Sequence, residues 1–308
     1  MKYPLVSACI GVYNRAPFIR ECLDSVLAQT WPNMEIVVVD DASTDGTRDI
    51  LEGYGSSIRL IQRDVNSGLP AITRNQAARA ARGSYIAFLD SDDVWHADKT
   101  TRQMDFMASH PEIPLSHTLV NILDEHSHIM GIRHGINVVP PTGMIFESLL
   151  EHCWITMSSV LVRRSLFDTV GWFDESPRIG IIGEEDLNFF LRVARMYPIG
   201  LVAEALAGYR KSSAGISTKL WRATPEAQSF LEVLLNDRAL WEGVVSRRRV
   251  VEAHTRACLE NAAHWRDRGD TKRSLYFSCR GLRYQPFNLH LWDTLGRTFF
   301  RRIFPRTG

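Results

Sequence analysis

Leu89-Asp90-Ser91-Asp92-Asp93 ends an apolar run that begins at Tyr85 and sets three carboxylates within four residues. Acids that close repel one another and resist burial, so they call for water, hydrogen-bond donors or a cation. Hard oxygen ligands of this kind suit Mg²⁺ or Mn²⁺, ions that commonly arrive with phosphates. The plainer reading is an acidic turn whose last Asp caps a helix over 96–109. A second apolar run, 35–39, ends the same way, in Asp40-Asp41-Ala42-Ser43-Thr44-Asp45-Gly46-Thr47. Capping a short helix through Leu51 accounts for Ser43, Thr44 or Asp45 but not for Asp40 and Asp41. Ligands of open α/β sheets bind beyond the carboxyl ends of the strands, so two strands ending in acids could share one such edge. Glu184-Glu185-Asp186 forms a third acidic group, at a helix start. One of these acids could take a proton from a hydroxyl nucleophile. The alternative is compensation of the helix dipole and capping.

Apolar spacing defines the elements that must position these acids. Residues 5–12 read as a strand. Pro17 suits a helix start, and Phe18, Cys22, Val26 and Leu27 give that helix an apolar face through Thr30. Further strands fall at 35–39, 58–62 and 85–89. Pro70 opens an Ala-rich helix with Gly83 at its end. Strands separated by single helices, with near-continuous apolar cores, predict an α/β fold with a mainly parallel sheet flanked by helices. Beyond Asp93 the pattern loosens. Residues 115–123 and 129–139 suit a mixed or antiparallel extension, 144–152 a helix, 158–163 a strand and 165–170 a short helix closed by Gly171. A helix over 185–197 and a strand over 201–209 follow. From Lys219 onward the pattern is all helical, with Trp221, Leu231, Leu234, Leu235 and Trp241 as packing residues. Ala262, Trp265, Gly269-Asp270, Ser274, Gly281 and Pro286 fall at spacings like those of one tetratricopeptide helix pair, with an ordinary helical bundle as the alternative. The expected division is 1–215 and 216–308.

The chain's 308 residues hold one large domain or one domain plus an appendage, and 45% hydrophobic with 23% charged residues is globular composition. A formal net charge of +1 gives no global field toward nucleic acid or membrane. The five cysteines are scattered without metal-ligand spacing and read as reduced thiols of a cytoplasmic protein. No apolar run reaches the ~18 residues of a membrane span, and strand-like residues begin too early for a signal peptide.

Val6-Ser7-Ala8-Cys9-Ile10-Gly11-Val12-Tyr13-Asn14, Ser25-Val26-Leu27-Ala28-Gln29-Thr30, Val39 to Thr47 and Leu89 to Asp93 occur in order. Together they resemble family 2 glycosyltransferases with the GT-A fold. Gly171-Trp172-Phe173-Asp174-Glu175 and Gly183-Glu184-Glu185-Asp186 resemble the acceptor half of that family. The resemblance extends to about residue 215 and not to the C-terminal helices.

The resemblance implies inverting transfer of a sugar from a nucleotide diphosphate sugar to the hydroxyl of a saccharide or lipid-linked acceptor, in bacterial polysaccharide or glycoconjugate synthesis. It implies a divalent cation, Mg²⁺ or Mn²⁺, at the Asp-x-Asp motif Asp90-Ser91-Asp92, with Asp92 or Asp93 as direct ligand and the other carboxylates on ribose, sugar or water. By the same comparison Tyr13 borders the base, Asp41 bonds the base edge with Asp40 beside it, and Arg74 meets a phosphate or sugar oxygen. Asp186 is then the general base, Glu185 its companion on the acceptor side, and Trp172 an acceptor platform. Trp172 reads equally as a core tryptophan. The chain departs from the family at Tyr209-Arg210-Lys211-Ser212, where the family often has Tyr-Arg-x-His. Arg210 or Lys211 could then offer the diphosphate positive charge.

Two other function classes remain. A nucleotidyltransferase would carry a Gly-rich basic loop after the first strand, and Gly11-Val12-Tyr13-Asn14-Arg15 has too few glycines. A degenerate transferase fold serving as a binding or assembly module is the non-enzymatic alternative. Arg297, Phe299, Phe300, Arg301, Arg302, Ile303, Phe304 and Arg306 offer an apolar helical face rimmed by arginines. Such a helix either packs inward in the bundle, which is the expectation, or lies peripherally on the inner face of an anionic membrane.

Overall fold

The computed structural model describes residues 3–135, 138–176, 185–211 and 234–303, with side chains through Phe299. Gly183, Glu184, Ser212, Trp221, Leu231 and the side chains from Phe300 onward lie outside the described residues. The chain divides into two compact units, Met1–Trp221 and Arg222–Gly308.

The first unit is built on β1 (Val6–Val12), β2 (Met34–Asp40), β3 (Arg59–Gln62) and β4 (Tyr85–Asp90). β1 lies between β2 and β4 and runs parallel to both, and β3 adds in parallel outside β2. In this register Asp40 stands opposite Val12 and Asp90 opposite Gly11. Parallel pairing thus brings both acidic strand ends to one edge of the sheet, on either side of the β1 terminus. β5 (Val94–Trp95), β6 (Leu115–Leu123), β7 (Ile129–Ile132), β8 (Leu161–Arg163) and β9 (Ile199–Arg210) extend it in the order β3-β2-β1-β4-β8-β6-β9-β5, with β7 on β6. Here the pairing is mixed: β8 is antiparallel to β4 and β6, and β9 is parallel to β6.

Both faces of the parallel half are covered, which explains the continuous apolar strands. Val6, Ala8, Ile10 and Val12 pack with Ile19, Cys22, Leu23 and Val26 around α1 (Ile19–Leu27). The valines, isoleucines and leucine among them contribute about 1.5–3 kcal/mol each when fully buried. Contacts from α3 (Pro70–Ala80) onto β1 and β2 use the small residues Ala71, Ala77 and Ala78. The approach is close enough that a Cβ on Gly11 would lie 2.3 Å from Thr73 Oγ1. Gly83 does not close α3, which ends at Ala81. It lies against β1, where a Cβ would come within 2.5 Å of Ser7 Oγ.

Other elements follow in order: α2 (Thr47–Glu52), α4 (Lys99–Ser109), α5 (Phe146–Glu151), α6 (Leu166–Val170) and α7 (Glu185–Met196). The expected helix over 96–109 starts three residues late, because Val94 and Trp95 pair with Gly208 and Ala207 as a short strand. Its N-cap is Asp98, so none of Asp90, Asp92 and Asp93 caps it. That removes the plain capping explanation for the acidic turn.

In the second unit, α8 (Arg238–Trp241) precedes α9 (Arg247–Asp267), α10 (Thr271–Tyr284) and α11 (Leu289–Ile303). Ser246 and Asp270 cap α9 and α10 through the amides of Arg249 and Arg273. α9 and α10 pack as a pair, and α11 packs on both. Small residues allow this: a Cβ on Gly281 would lie 2.6 Å from Leu291 Cδ1. Leu291, Thr294 and Thr298 form the buried face of α11, whereas Phe299, expected inward, is exposed.

Candidate active site

The β1 terminus is tied to both acidic strand ends. Asn14, in the left-handed region at φ 51°, accepts the Thr44 amide at 2.8 Å, while its own amide donates to Ser43 Oγ. Arg15 then turns the other way. Its Nε donates to Asp92 Oδ2 at 3.2 Å and its Nη1 to the carbonyls of Tyr13 and Asn14. Tyr13 is exposed at this mouth, where an aromatic face is open to a flat ligand.

Asp40 and Asp41 serve different partners. The Asp40 carboxylate is buried and accepts from Arg48 Nε and the Ser43 amide, so it shapes the turn after β2. Asp41 accepts the Ser67 amide and hydroxyl and lies 2.8 Å from Arg63 Nε, fixing the loop between β3 and α3.

Arg74, on α3, spans the site. Its Nη2 donates to Asp90 Oδ1 at 2.8 Å and its Nη1 to Glu185 Oε1 at 2.6 Å. Burial opposes its charge, but Asp90 and Glu185 outweigh that and hold it more firmly protonated than a free arginine. The neighbouring Asn75 side chain donates to Phe173 O and Glu175 Oε1 and accepts the Phe173 amide. Two consecutive residues of one helix thus connect the acidic end of β4 to the start of α7 and hold the segment 171–175.

The three acids after β4 are not equivalent. Asp90 and Asp92 retain solvent access, with side chains 33% and 18% exposed. Asp93 is buried, accepting Ser158 Oγ at 2.5 Å and the Arg210 amide at 2.8 Å. Burial, then the charges of Asp90 and Asp92, push the Asp93 carboxyl well above the usual range. Burial likewise raises Asp92; Asp90 adds to this, and Arg15 opposes it. Asp93 therefore faces the protein, a placement that works against direct metal ligation and supports the turn instead. Asp186 is half-buried at the first turn of α7 and accepts the Leu187 amide at 2.7 Å. Burial and the adjacent Glu185 lift its carboxyl to about 7, against the pull of Arg74. A carboxylate poised there is suited to accept a proton near neutral pH.

A divalent cation fits the donor set at Asp90 and Asp92. Both are hard oxygen donors, both reach solvent, and a cation would relieve their repulsion. Among the described residues no group of three His, Cys, Asp or Glu side chains is poised to hold a metal. Donor phosphates and water would have to complete the coordination, as Mg²⁺ and Mn²⁺ commonly allow.

Two sequence expectations are corrected. Trp172 does not present a free platform: Phe167 stacks on it at 4.6 Å and Arg79 lies 4.9 Å from its ring centroid, within the aromatic cluster of Phe88, Phe173 and Phe189. Arg210 does not reach toward a diphosphate. Its side chain is 1% exposed and is spent on Glu21, Asp92 O, Asp124 O and Ser127. Lys211 is exposed. Sequence reasoning passed over Arg15 and Ser158. Arg15 was visible as a cation just past a strand end, but Ser158 carries no local signal for its link to Asp93.

A sequence model of glycosyl transferase family 2 matches residues 7–171. The chain belongs to glycosyl transferase family 2. Among curated relatives, it is 33% identical over 227 residues to a putative teichuronic acid biosynthesis glycosyltransferase, TuaG, of Bacillus subtilis, covering 71% of this chain and 84% of the relative. It is 31% identical over 221 residues to the Escherichia coli UDP-Glc:alpha-D-GlcNAc-diphosphoundecaprenol beta-1,3-glucosyltransferase WfgD, covering 71% and 81%. In fold it resembles Staphylococcus aureus TarS 1-349 in complex with UDP-GlcNAc, with a TM-score of 0.64 at 20% identity over 97% of this chain and 87% of that one. It also resembles the mannosyltransferase PcManGT of Pyrobaculum calidifontis in complex with GDP-Man and Mn²⁺, with a TM-score of 0.61 at 17% identity over 99% and 88%. The fold is GT-A, and the bacterial relatives TuaG and WfgD are both named as glycosyltransferases, TuaG as one of teichuronic acid biosynthesis.

Proposed function

We propose that this glycosyltransferase transfers a sugar, with inversion, from a nucleotide diphosphate sugar to a hydroxyl of a saccharide or lipid-linked saccharide. The observation that carries this reading is the Arg74 bridge. One guanidinium bonds Asp90 at the end of β4 and Glu185 at the start of α7, with Asp186 next in sequence. An acid that could hold the donor is therefore joined through one guanidinium to the immediate neighbour of an acid that could activate the acceptor, and Asp186 itself lies close enough to Arg74 to feel its charge.

In this reading Tyr13 borders the base, and Asp41 offers its carboxylate to the base edge from the loop that Ser67 and Arg63 stabilise. Asp40 acts by holding the turn that presents Asp41. Asp90 and Asp92 would hold Mg²⁺ or Mn²⁺, which would supply positive charge to a leaving diphosphate. Arg74 aims Asp90 through its hydrogen bond, and Arg15 aims Asp92 while opposing the rise that burial imposes on its carboxyl. Asp93 braces the turn through Ser158. Asp186 accepts the acceptor hydroxyl's proton as the oxygen attacks, while Glu185, held by Arg74, supplies the negative charge that helps keep Asp186 basic. An unassisted hydroxyl is a poor nucleophile near neutral pH, so this proton transfer is worth about 10²–10⁴ in rate. The diphosphoundecaprenol-linked acceptor of WfgD supports a lipid-linked acceptor, and the Mn²⁺ of PcManGT supports the cation.

Calorimetric titration of nucleoside diphosphates with Mn²⁺ tests the donor half of the reading. Binding should depend on the metal, and Asp92→Ala should remove most of that dependence. Equal affinity in excess chelator would refute the assignment of Asp92.

A further inference from the structure

We propose that the exposed face of α11, with the residue leading into it, is a docking surface for an anionic lipid bilayer. Phe287 is 92% exposed, Leu289 80%, Trp292 51% and Phe299 44%. Leu289, Trp292 and Phe299 are spaced by three and seven residues, so one side of the helix carries all three. The opposite side holds Leu291, Thr294 and Thr298, which are buried against the rest of the unit. Among the described residues the helix therefore carries an exposed apolar side opposite the side it buries. A run of large apolar groups turned to solvent marks an interaction surface.

Charge identifies the occupant. From Thr271 to Gly308 the sequence has eight Lys and Arg and a single acid, Asp293, in a chain whose net charge is only +1. Asp293 is itself neutralised by Arg297, whose Nε donates to it at 3.0 Å. An apolar stripe in a strongly basic segment matches a helix lying in the interface of a membrane with anionic headgroups. The rings and leucine enter the acyl boundary while the arginines meet phosphate. A second copy is a poorer occupant, because a symmetric pair would bring two basic segments together. Among the described residues no helix is long and apolar enough to cross a membrane, so the contact is peripheral. This inference rests on α11 alone, so its failure would leave the transferase reading untouched.

Flotation of the whole chain with vesicles tests it. Phosphatidylcholine vesicles containing phosphatidylglycerol should carry the protein up the gradient, pure phosphatidylcholine vesicles should carry far less, and added salt should release it. Phe287→Glu with Leu289→Glu should lower the vesicle-bound fraction at least tenfold. Circular dichroism should stay unchanged, since neither side chain is buried. The inference is overturned if the wild type fails to float with the anionic vesicles. It is overturned equally if the double variant floats like wild type. A concentration-dependent dimer abolished by the double substitution, without flotation, would assign the face to a second copy instead. A lowered melting temperature without flotation would assign it to packing within this chain.

Discussion

Replacing Asp186 by Asn should stabilise the protein, and the gain should depend on pH. The Asp186 carboxyl is lifted from 3.8 to about 7 by burial and by Glu185. Its charged form is thus disfavoured in the folded chain relative to the unfolded one. Well below pH 4 the acid is protonated in both states and costs nothing. Between about 4 and 7 the unfolded chain releases the proton while the folded chain retains it, so stability falls as pH rises, and above about 7 the full cost is present. A shift of this size corresponds to about 4 kcal/mol, and about 2 kcal/mol once the partial exposure of the carboxyl is discounted. Asn cannot ionise and escapes the cost. At about 2–4 °C per kcal/mol for a unit of this size, the variant should melt about 4–8 °C above wild type at pH 8, with the difference closing by pH 4–5. If Asp186 were only a solvated acid at a helix start, the sign would reverse. Losing a favourable interaction with the helix dipole would then destabilise the variant by about 0.3–1 kcal/mol near neutral pH. Melting curves of both proteins from pH 5 to 8 distinguish the two. A variant that melts at or below wild type at pH 8 refutes the argument.

Two further perturbations probe the scaffold. Arg74→Gln should leave Asp90 and buried Glu185 without their shared cation and cost about 3–5 kcal/mol, read as a fall in melting temperature of more than about 6 °C; a change within about 1 °C would mean the bridge is not formed. Gly11→Ala should cost about 1–3 kcal/mol through the clash with Thr73, and Thr73→Ala should restore part of it in the double variant. Denaturant midpoints check this, and unchanged midpoints for Gly11→Ala would show that α3 does not seat as closely as described.

The parts legible in the sequence were those written in local pattern. Apolar runs ending in acids located Asp40, Asp41, Asp90 and Asp92. Strands alternating with helices implied the parallel pairing that brings those acids to one edge. What escaped was set by tertiary packing. β5 is only two residues long, too short for periodicity to reveal, and it delayed the start of α4. Asp93 looks identical to Asp90 and Asp92 in sequence, and only Ser158, 65 residues away, and the Arg210 amide show that it faces inward. Arg210 likewise reads as a free cation until Glu21 and the 124–127 turn close on it. For Trp172 the sequence left platform and core open, and stacking on Phe167 favours the core.

The central claim is that the start of α7 supplies the base while the strand ends hold the donor. Donor affinity and turnover of Asp186→Asn, measured on one preparation with the cognate nucleotide sugar and acceptor, test it most directly. The account predicts donor affinity within a few-fold of wild type and turnover reduced by about 10²–10⁴. Near wild-type turnover would show that another group takes the proton. Loss of donor binding in a folded variant would place Asp186 in the donor site and contradict the division of labour proposed for the two halves of the cleft.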